Sequence, residues 1–405
     1  MKLYKRNIYN QIEPYIGDET IIVLHGARQV GKTHILYYLR DRLVSLGEKV
    51  FYYDLEYPDL LADLNHGPDA FLADLKGKGY TEGEKIYALI DEIQYLDHPS
   101  PFLKIMADHY KNVHLIVSGS STFDIKSKFA DSLAGRTLSF EVFPLSFEEF
   151  LEFKEEKYVL SQVSSTSGIA RLQELYTEFI TYGGYPKVVL EEVEEKKKSY
   201  LLQIIDTYIR KDVRDLAKVE DPKKFNDLLY ILASQSGQLL DLAATSRETT
   251  LSFPTLKKYL AILEETYVCK LVSPYSKSPS VEISKNPKIF FYDSGLQSLL
   301  WFKYFQHTLL GTVFETNVFG ELVKKFGREA IYFWRTKTKA EIDFIIKRDD
   351  TILPIEVKTN FQGFNPRAIK TFQKKYKNEN WKIIGLTGEK RGNNYIFPWQ
   401  ISFDI

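Results

Sequence analysis

An α/β protein built around a parallel sheet is the fold class this 405-residue sequence predicts. Three features lead there. Gly26-Ala27-Arg28-Gln29-Val30-Gly31-Lys32-Thr33 follows the apolar run Ile21–Leu24 and precedes the helical pattern Ile35–Leu39, giving strand, loop and helix in that order. The apolar run Ile86–Ile90 ends in Asp91-Glu92. Further strand-like runs, Phe51–Asp54 and His114–Val117, alternate with helical patterns, which implies parallel strands covered on both faces. Ligands of such sheets sit at the carboxyl ends of the strands, where Lys32, Thr33, Asp91 and Glu92 all fall.

The first run has the G-x-x-x-x-G-K-T form of a phosphate-binding loop. Its glycines, Gly26 and Gly31, let the loop curl so that the backbone N–H groups of Gly26, Ala27, Arg28, Gln29, Val30 and Gly31 face phosphate oxygens. The following helix adds a positive dipole end. Lys32 is expected to reach the β- and γ-phosphates, and the Thr33 hydroxyl to ligate Mg²⁺. At the second run, Asp91 is expected to hold Mg²⁺ through water, and Glu92 to polarise the water that attacks the γ-phosphate. A strand ending in Asp-Glu is weak alone and strong downstream of such a loop. The expected ligand is ATP, and hydrolysis is expected beyond binding. Ser118-Gly119-Ser120-Ser121 ends the third run. Ser118 is either a contact to the nucleotide or part of a turn that caps the next helix.

Composition bounds the rest. Lys and Arg total 54 against 54 Asp and Glu, which excludes a uniformly basic coat. Residues 1–150 carry 16 Lys/Arg against 22 Asp/Glu, and residues 315–405 carry 17 against 11, so the carboxyl-terminal segment is the one suited to a polyanion. Cys269 is the single cysteine, which excludes an intrachain disulfide and any Cys-rich metal site. No apolar run approaches the ~18 residues of a membrane span, and Met1–Arg6 lacks a signal peptide's apolar core. A cytoplasmic protein without a membrane partner is expected.

Ser146 and Glu149 read as a capping box opening a helix after the first domain. Arg136, in Leu133-Ala134-Gly135-Arg136, is either an arginine finger for its own or a neighbour's γ-phosphate, or a surface or carboxylate-paired Arg. Residues 160–168, with Ser164–Gly168, form the most linker-like stretch. Between Phe225 and Ser276 three short helices, marked by Leu228–Leu232, Leu239–Ala243 and Thr255–Leu263, precede a strand at Val268–Pro274. That order resembles a winged helix-turn-helix. Lys257 and Lys258 are the only basic side chains on its third helix, so a packing or lid module is the plainer reading.

A second set of charged residues follows. Glu315 lies in the helical pattern Val313–Leu322, Asp343 enters a strand at Ala340–Ile346, and Glu356 and Lys358 share one face of the strand Leu353–Lys358. Asp343 and Glu356 could hold a hard divalent cation, with Glu315 completing the ligand set and Lys358 orienting or deprotonating a water. A helix at Pro366–Tyr376 and a strand at Trp381–Leu386 complete an α-β-β-β-α-β order.

This series resembles the PD-(D/E)xK nuclease superfamily with its leading Pro absent. The strings G-A-R-Q-V-G-K-T, L-I-D-E-I-Q, S-G-S-S, L-A-G-R, P-L-S-F-E-E-F, Y-G-G-Y-P, F-F-Y-D-S-G-L, G-T-V-F-E and P-I-E-V-K make the whole chain similar to prokaryotic AAA-type ATPases (AAA_14-like) with a C-terminal DUF4143 domain. The resemblance implies a P-loop ATPase domain at 1–145, a helical linker or lid at 146–220, a winged-helix-like domain at 221–300 and a restriction-nuclease-like domain at 301–405. It implies a functional Arg136 and a metal-dependent nuclease site of Glu315, Asp343, Glu356 and Lys358, served by Mg²⁺ or Mn²⁺. The expected partner is nucleic acid, DNA before RNA, with a homo-oligomer open. Two functions follow: an ATPase coupled to a DNA endonuclease, or a nucleotide-driven switch whose carboxyl-terminal domain binds DNA or protein without cleavage.

Overall fold

In the computed structural model, which describes residues 2–119, 133–276 and 286–405, the first sheet is formed by β1 (Ile21–Gly26), β2 (Val50–Asp54), β3 (Ile86–Asp91), β4 (Val113–Gly119) and β5 (Thr137–Val142). All its pairings are parallel, in the order β2-β3-β4-β1-β5. Parallel neighbours need crossovers, and these are α1 (Lys32–Ser45), α2 (Pro58–Asn65), α3 (Pro68–Gly77) and α4 (Pro99–His109). β1 and β3 are buried at every position, as strands covered on both faces must be. Tyr53, Phe71, Leu75, Ile90, Phe102 and Leu103 fill one side of this sheet. Proline opens α2, α3 and α4, where its missing N–H removes no helical bond.

The chain divides into two units, Met1–Phe143 and Pro144–Ile405. The linker-like stretch around Ser164–Gly168 lies inside the second unit. There it starts a helix, because the Ser165 hydroxyl accepts the Gly168 N–H and caps it.

The second unit begins with α5 (Phe147–Phe153), where the capping box of Ser146 and Glu149 forms as expected. Then come α6 (Thr166–Tyr182), α7 (Glu194–Ile204), α8 (Pro222–Ser234), α9 (Leu242–Thr249) and α10 (Phe253–Glu265). The apolar pattern at Leu239–Ala243 does not lie within one helix. Asp241 accepts the N–H groups of Ala243 and Ala244, so α9 starts only after it, while Leu239 bridges to Lys288. Two antiparallel strands follow, β6 (Cys269–Val272) and β7 (Lys288–Phe291). α11 (Ser294–Phe302) and α12 (Gly311–Phe326) lead to the second sheet.

That sheet contains β8 (Ile331–Arg335), β9 (Glu341–Arg348), β10 (Thr351–Asn360), β11 (Lys382–Thr387) and β12 (Tyr395–Ile396), with α13 (Arg367–Tyr376) between β10 and β11. It is mixed: β8, β9 and β10 are antiparallel neighbours, and β11 and β12 join in parallel. β9 bulges. Ile345 pairs with Tyr332 but Ile342 with Trp334, so β9 holds one extra residue. Ile342 and Ile345 consequently share the side packed on Ile369 and Phe372 of α13, while Phe344 packs against Phe290 and Phe319.

Two of the recurring strings meet in this unit. The Asp293 carboxylate accepts the Leu296 N–H at 2.8 Å, capping α11, and the Gly184 N–H at 2.7 Å. Gly183 has φ +79°, and a side chain there would collide with the same carboxylate. The Gly-Gly of Y-G-G-Y-P is therefore the room that the Asp of F-F-Y-D-S-G-L occupies.

Candidate functional site

The carboxyl ends of β1, β4, β3 and β2 lie side by side. Leu24 pairs with Ser118, Ile90 with Val117 and Asp54 with Asp91. β4 therefore stands between the phosphate-binding loop and the Asp91 strand, and Ser118 lies between them. At Gly26 a Cβ would strike the Val142 carbonyl. Gly31, at φ +99°, is in the left-handed region that lets α1 start directly at Lys32. Buried Arg6 donates to Val30 O at 2.7 Å and to Phe143 O at 2.9 Å, bracing the loop from outside the motif.

Lys32 is buried, with Nζ donating to Gly26 O at 3.1 Å and Ala27 O at 2.8 Å. Burial lowers its pKa to about 8 against the opposing pull of Glu92 and Asp91. A cation desolvated in this way is primed to gain from phosphate oxygens. Thr33 follows it in the first turn of α1. Asp91 is buried and accepts hydrogen bonds from Ser118 Oγ and, at 3.1 Å, from Tyr52 Oη. The Ser118 hydroxyl also accepts the Glu92 N–H at 3.3 Å. Glu92 sits at φ +56°, an uncommon conformation for a non-glycine residue, and accepts from Gln94 Nε2. The site thus joins Lys32, Thr33, Ser118, Asp91 and Glu92 at one sheet edge. Ser120 and Ser121 lie outside the described residues.

Arg136 is not at that edge. Its carbonyl accepts the N–H of Ile21, the first residue of β1, and Thr137 is the partner of Ile21 in the parallel register. The phosphate-binding loop begins at the other end of β1, five residues on and roughly 16 Å away at ~3.3 Å per residue. The guanidinium makes a two-pronged pair with Asp108, Nε to Oδ1 at 2.6 Å and Nη2 to Oδ2 at 3.1 Å. Arg136 thus lies at the end of β1 away from its own chain's phosphate-binding loop.

In the second unit, β10 presents Glu356 and Lys358 to one side, and Lys358 Nζ donates to Glu356 Oε2 at 2.9 Å and to Asp343 Oδ2 at 3.3 Å. Asp343 Oδ2 also accepts the Val357 N–H at 2.7 Å. Burial, then the Asp343 charge, pushes the Glu356 carboxyl up to about 8. Glu315 takes a different partner. Its Oε1 pairs with Lys288 Nζ at 3.2 Å, and Lys288 also reaches Glu341 Oε1 at 2.7 Å. Burial followed by the Asp343 charge raises the Glu315 carboxyl to about 7. Arg335 pairs with Glu341 at 3.0 Å, closing the network.

Among the described residues, no group of three or more His, Cys, Asp or Glu is disposed to hold a metal ion. Asp343 and Glu356 are a crowded pair of hard oxygen donors beside a carbonyl, that of Val357, which accepts from Lys358 at 2.9 Å. Carboxylate oxygens of this kind are the hard donors that divalent cations take, and Lys358 bridges the two of them here. Glu315 is paired with Lys288 and lies close enough to Asp343 to feel its charge. Lys288, Glu341 and Arg335 were not read from the sequence. A lysine opening a strand that is otherwise Ile-Phe-Phe was the available sign, since burying it requires a carboxylate partner.

Residues 18–151 match the family model described as "AAA domain" (AAA_14). That segment is therefore similar to AAA domains. Further along, residues 173–303 match "Domain of unknown function (DUF8612)" and residues 310–398 "Domain of unknown function (DUF4143)". The chain is 28% identical over 361 residues to an uncharacterized protein of Haemophilus influenzae, covering 87% of this chain and 86% of that one. It is 27% identical over 395 residues to an uncharacterized protein of Methanocaldococcus jannaschii, covering 94% and 86%. The Walker-type ATPase of Pyrococcus abyssi aligns with a TM-score of 0.47 at 15% identity, over 74% of this chain and 96% of that one. Among the described residues no helix is long and apolar enough to cross a membrane.

Proposed function

We propose that the AAA domain hydrolyses ATP and that the carboxyl-terminal domain applies the cycle to nucleic acid. The observation that carries the first part is the edge where Lys32, Thr33, Ser118, Asp91 and Glu92 meet. Lys32 leaves the Gly26 and Ala27 carbonyls for the β- and γ-phosphate oxygens, and backbone N–H groups of the loop bind the remainder. Asp91, oriented by Ser118 and Tyr52, and Thr33 are the residues for Mg²⁺, which would offset phosphate charge in the transition state. Glu92 takes the proton of the attacking water. Phosphate release from ATP by the full chain with Mg²⁺ tests this, and a chain that binds ATP without releasing phosphate refutes it.

For the carboxyl-terminal domain the reading is metal-dependent phosphodiester cleavage, with Asp343 and Glu356 as ligands and Lys358 steadying the attacking water. Two carboxylates in contact repel unless a proton or cation intervenes, and a divalent cation would supply the charge that binds and polarises a phosphate oxygen. We read α8, α9, α10 and the β6–β7 pair as a winged-helix module between the two chemistries. One observation favours the switch reading instead: Lys358 and Lys288 already neutralise much of this carboxylate cluster. Incubating structured DNAs with Mg²⁺ or Mn²⁺, with and without ATP, separates the two. Cleavage lost in Asp343→Ala supports the nuclease, and intact DNA under every condition leaves the switch.

A further inference from the structure

The side of α13 that faces away from the sheet carries a charge arrangement that the fold itself does not require. Ile369 and Phe372 anchor the helix against Trp334, Ile342 and Ile345. On the opposite side Arg367, Lys370 and Lys374 are exposed at helical i, i+3, i+7 spacing. With Asn365, Pro366 and Thr371 they line an open groove of about 480 Å³.

Some cations of this unit have carboxylate partners: Arg171 pairs with Glu156 and Glu174, Lys324 with Glu321, and Arg335 with Glu341. Arg367, Lys370 and Lys374 have none among the described residues. Like charges three and four residues apart on a helix repel. Arg367 also opens the helix, where the macrodipole disfavours a cation. Lys374 lies in the last turn, where the macrodipole favours a cation, but helix stability does not account for Arg367 and Lys370, and an anionic partner does.

We propose that this face of α13 holds the phosphate backbone of nucleic acid, without base readout. The proposal deepens the nucleic-acid reading above and rests on it for the class of partner. Arg367 to Lys374 spans about 10 Å of helix at ~1.5 Å per residue, enough to lie along several phosphates of a duplex. Arg donates in a fork to phosphate oxygens, and Lys acts as a point charge. The groove-lining residues include no large apolar side chain that would insert into a lipid surface or anchor a protein interface. The stripe lies on the outer face of α13, opposite Ile369 and Phe372, which pack against the sheet that carries Asp343, Glu356 and Lys358. The stripe is thus a holding surface separate from the carboxylate cluster.

The test is anisotropy of a labelled duplex DNA titrated with full-length chain across a salt series. R367Q/K370Q/K374Q is compared with K223Q/K339Q/K347Q, which removes three exposed lysines elsewhere in the unit. The stripe variant is expected to weaken binding about tenfold or more near 0.1 M salt. It should also reduce the log–log salt slope by about 2.7, at ~0.9 per neutralised phosphate. The control triple should stay within about twofold of wild type, and equal melting temperatures show that all three chains are folded. Equal losses in both triples, no DNA binding by wild type, or stripe-dependent binding to phosphatidylserine vesicles in place of DNA would each overturn the proposal. DNA binding that depends on the stripe without any cleavage would remove the nuclease reading and leave this one standing.

Discussion

Arg136 and Asp108 form a two-pronged ion pair at the amino-terminal edge of the first sheet, the end away from the phosphate-binding loop. The pair draws the carboxyl of Asp108 below its usual range, the hydrogen bond from the guanidinium being the main cause. Arg136 is therefore committed to a surface carboxylate unless another molecule displaces it. In dilute solution, Arg136→Ala is expected to hydrolyse ATP within about twofold of wild type, because removing a working arginine finger costs ~10³ or more. Turnover measured against protein concentration checks this. A wild-type rate that climbs with concentration while the variant's stays flat would place Arg136 in a neighbour's site.

Gln94 and Glu92 are hydrogen-bonded two residues apart, at the residue expected to activate water. Glu92→Gln should retain nucleotide and lose about 10²- to 10⁴-fold in turnover, the usual contribution of a positioned base. Lys32→Ala should instead lose tight nucleotide binding, since it removes the buried cation beside the loop. Nucleotide affinity and single-turnover phosphate release distinguish the two. Wild-type turnover in the Glu92 variant would show that another group activates the water.

The first unit was legible because its chemistry is local. One loop, its preceding strand and one Asp-Glu pair identify the site, and buried apolar runs such as Ile86–Ile90 specify the strands that carry them. Strand alternation put Glu356 and Lys358 on one face, and Lys358 contacts both Glu356 and Asp343. The extra residue in β9 was not visible, because a bulge is defined only by the partner strand. Arg136 and Lys288 mark the limit. The direction of the one and the partners of the other depend on which strands pair, and residues far apart in sequence decide that.

Asp293 supplies a testable link between two distant strings. Its two oxygens accept N–H groups from Gly184 and Leu296, and an amide has only one acceptor oxygen. Asp293→Asn would therefore turn an NH₂ toward a buried backbone donor and is expected to cost about 1–3 kcal/mol. Urea unfolding, with the slope unchanged, reads that loss directly. Stability equal to wild type would mean that the Gly183–Gly184 turn does not need the second acceptor.

Lys288 provides the last test, because its partners are stated and it is almost fully buried at 2% exposure. Burial alone would lower its pKa, but Glu315, Asp343 and Glu341 outweigh that and hold it above the usual lysine range. Lys288→Met removes the cation and leaves Glu315 and Glu341 facing one another without it. Breaking a buried pair from one side typically costs ~3–5 kcal/mol, mostly from the charge left behind. Adding Glu315→Gln and Glu341→Gln should then recover most of the loss, since the uncompensated charges are gone and Met fills much of the lysine's apolar volume. Chemical unfolding of wild type, the single variant and the triple variant completes the comparison. If the triple variant is no more stable than Lys288→Met, the lysine's contribution is packing of its methylenes, and the network with Glu315 and Glu341 does not hold this part of the fold together.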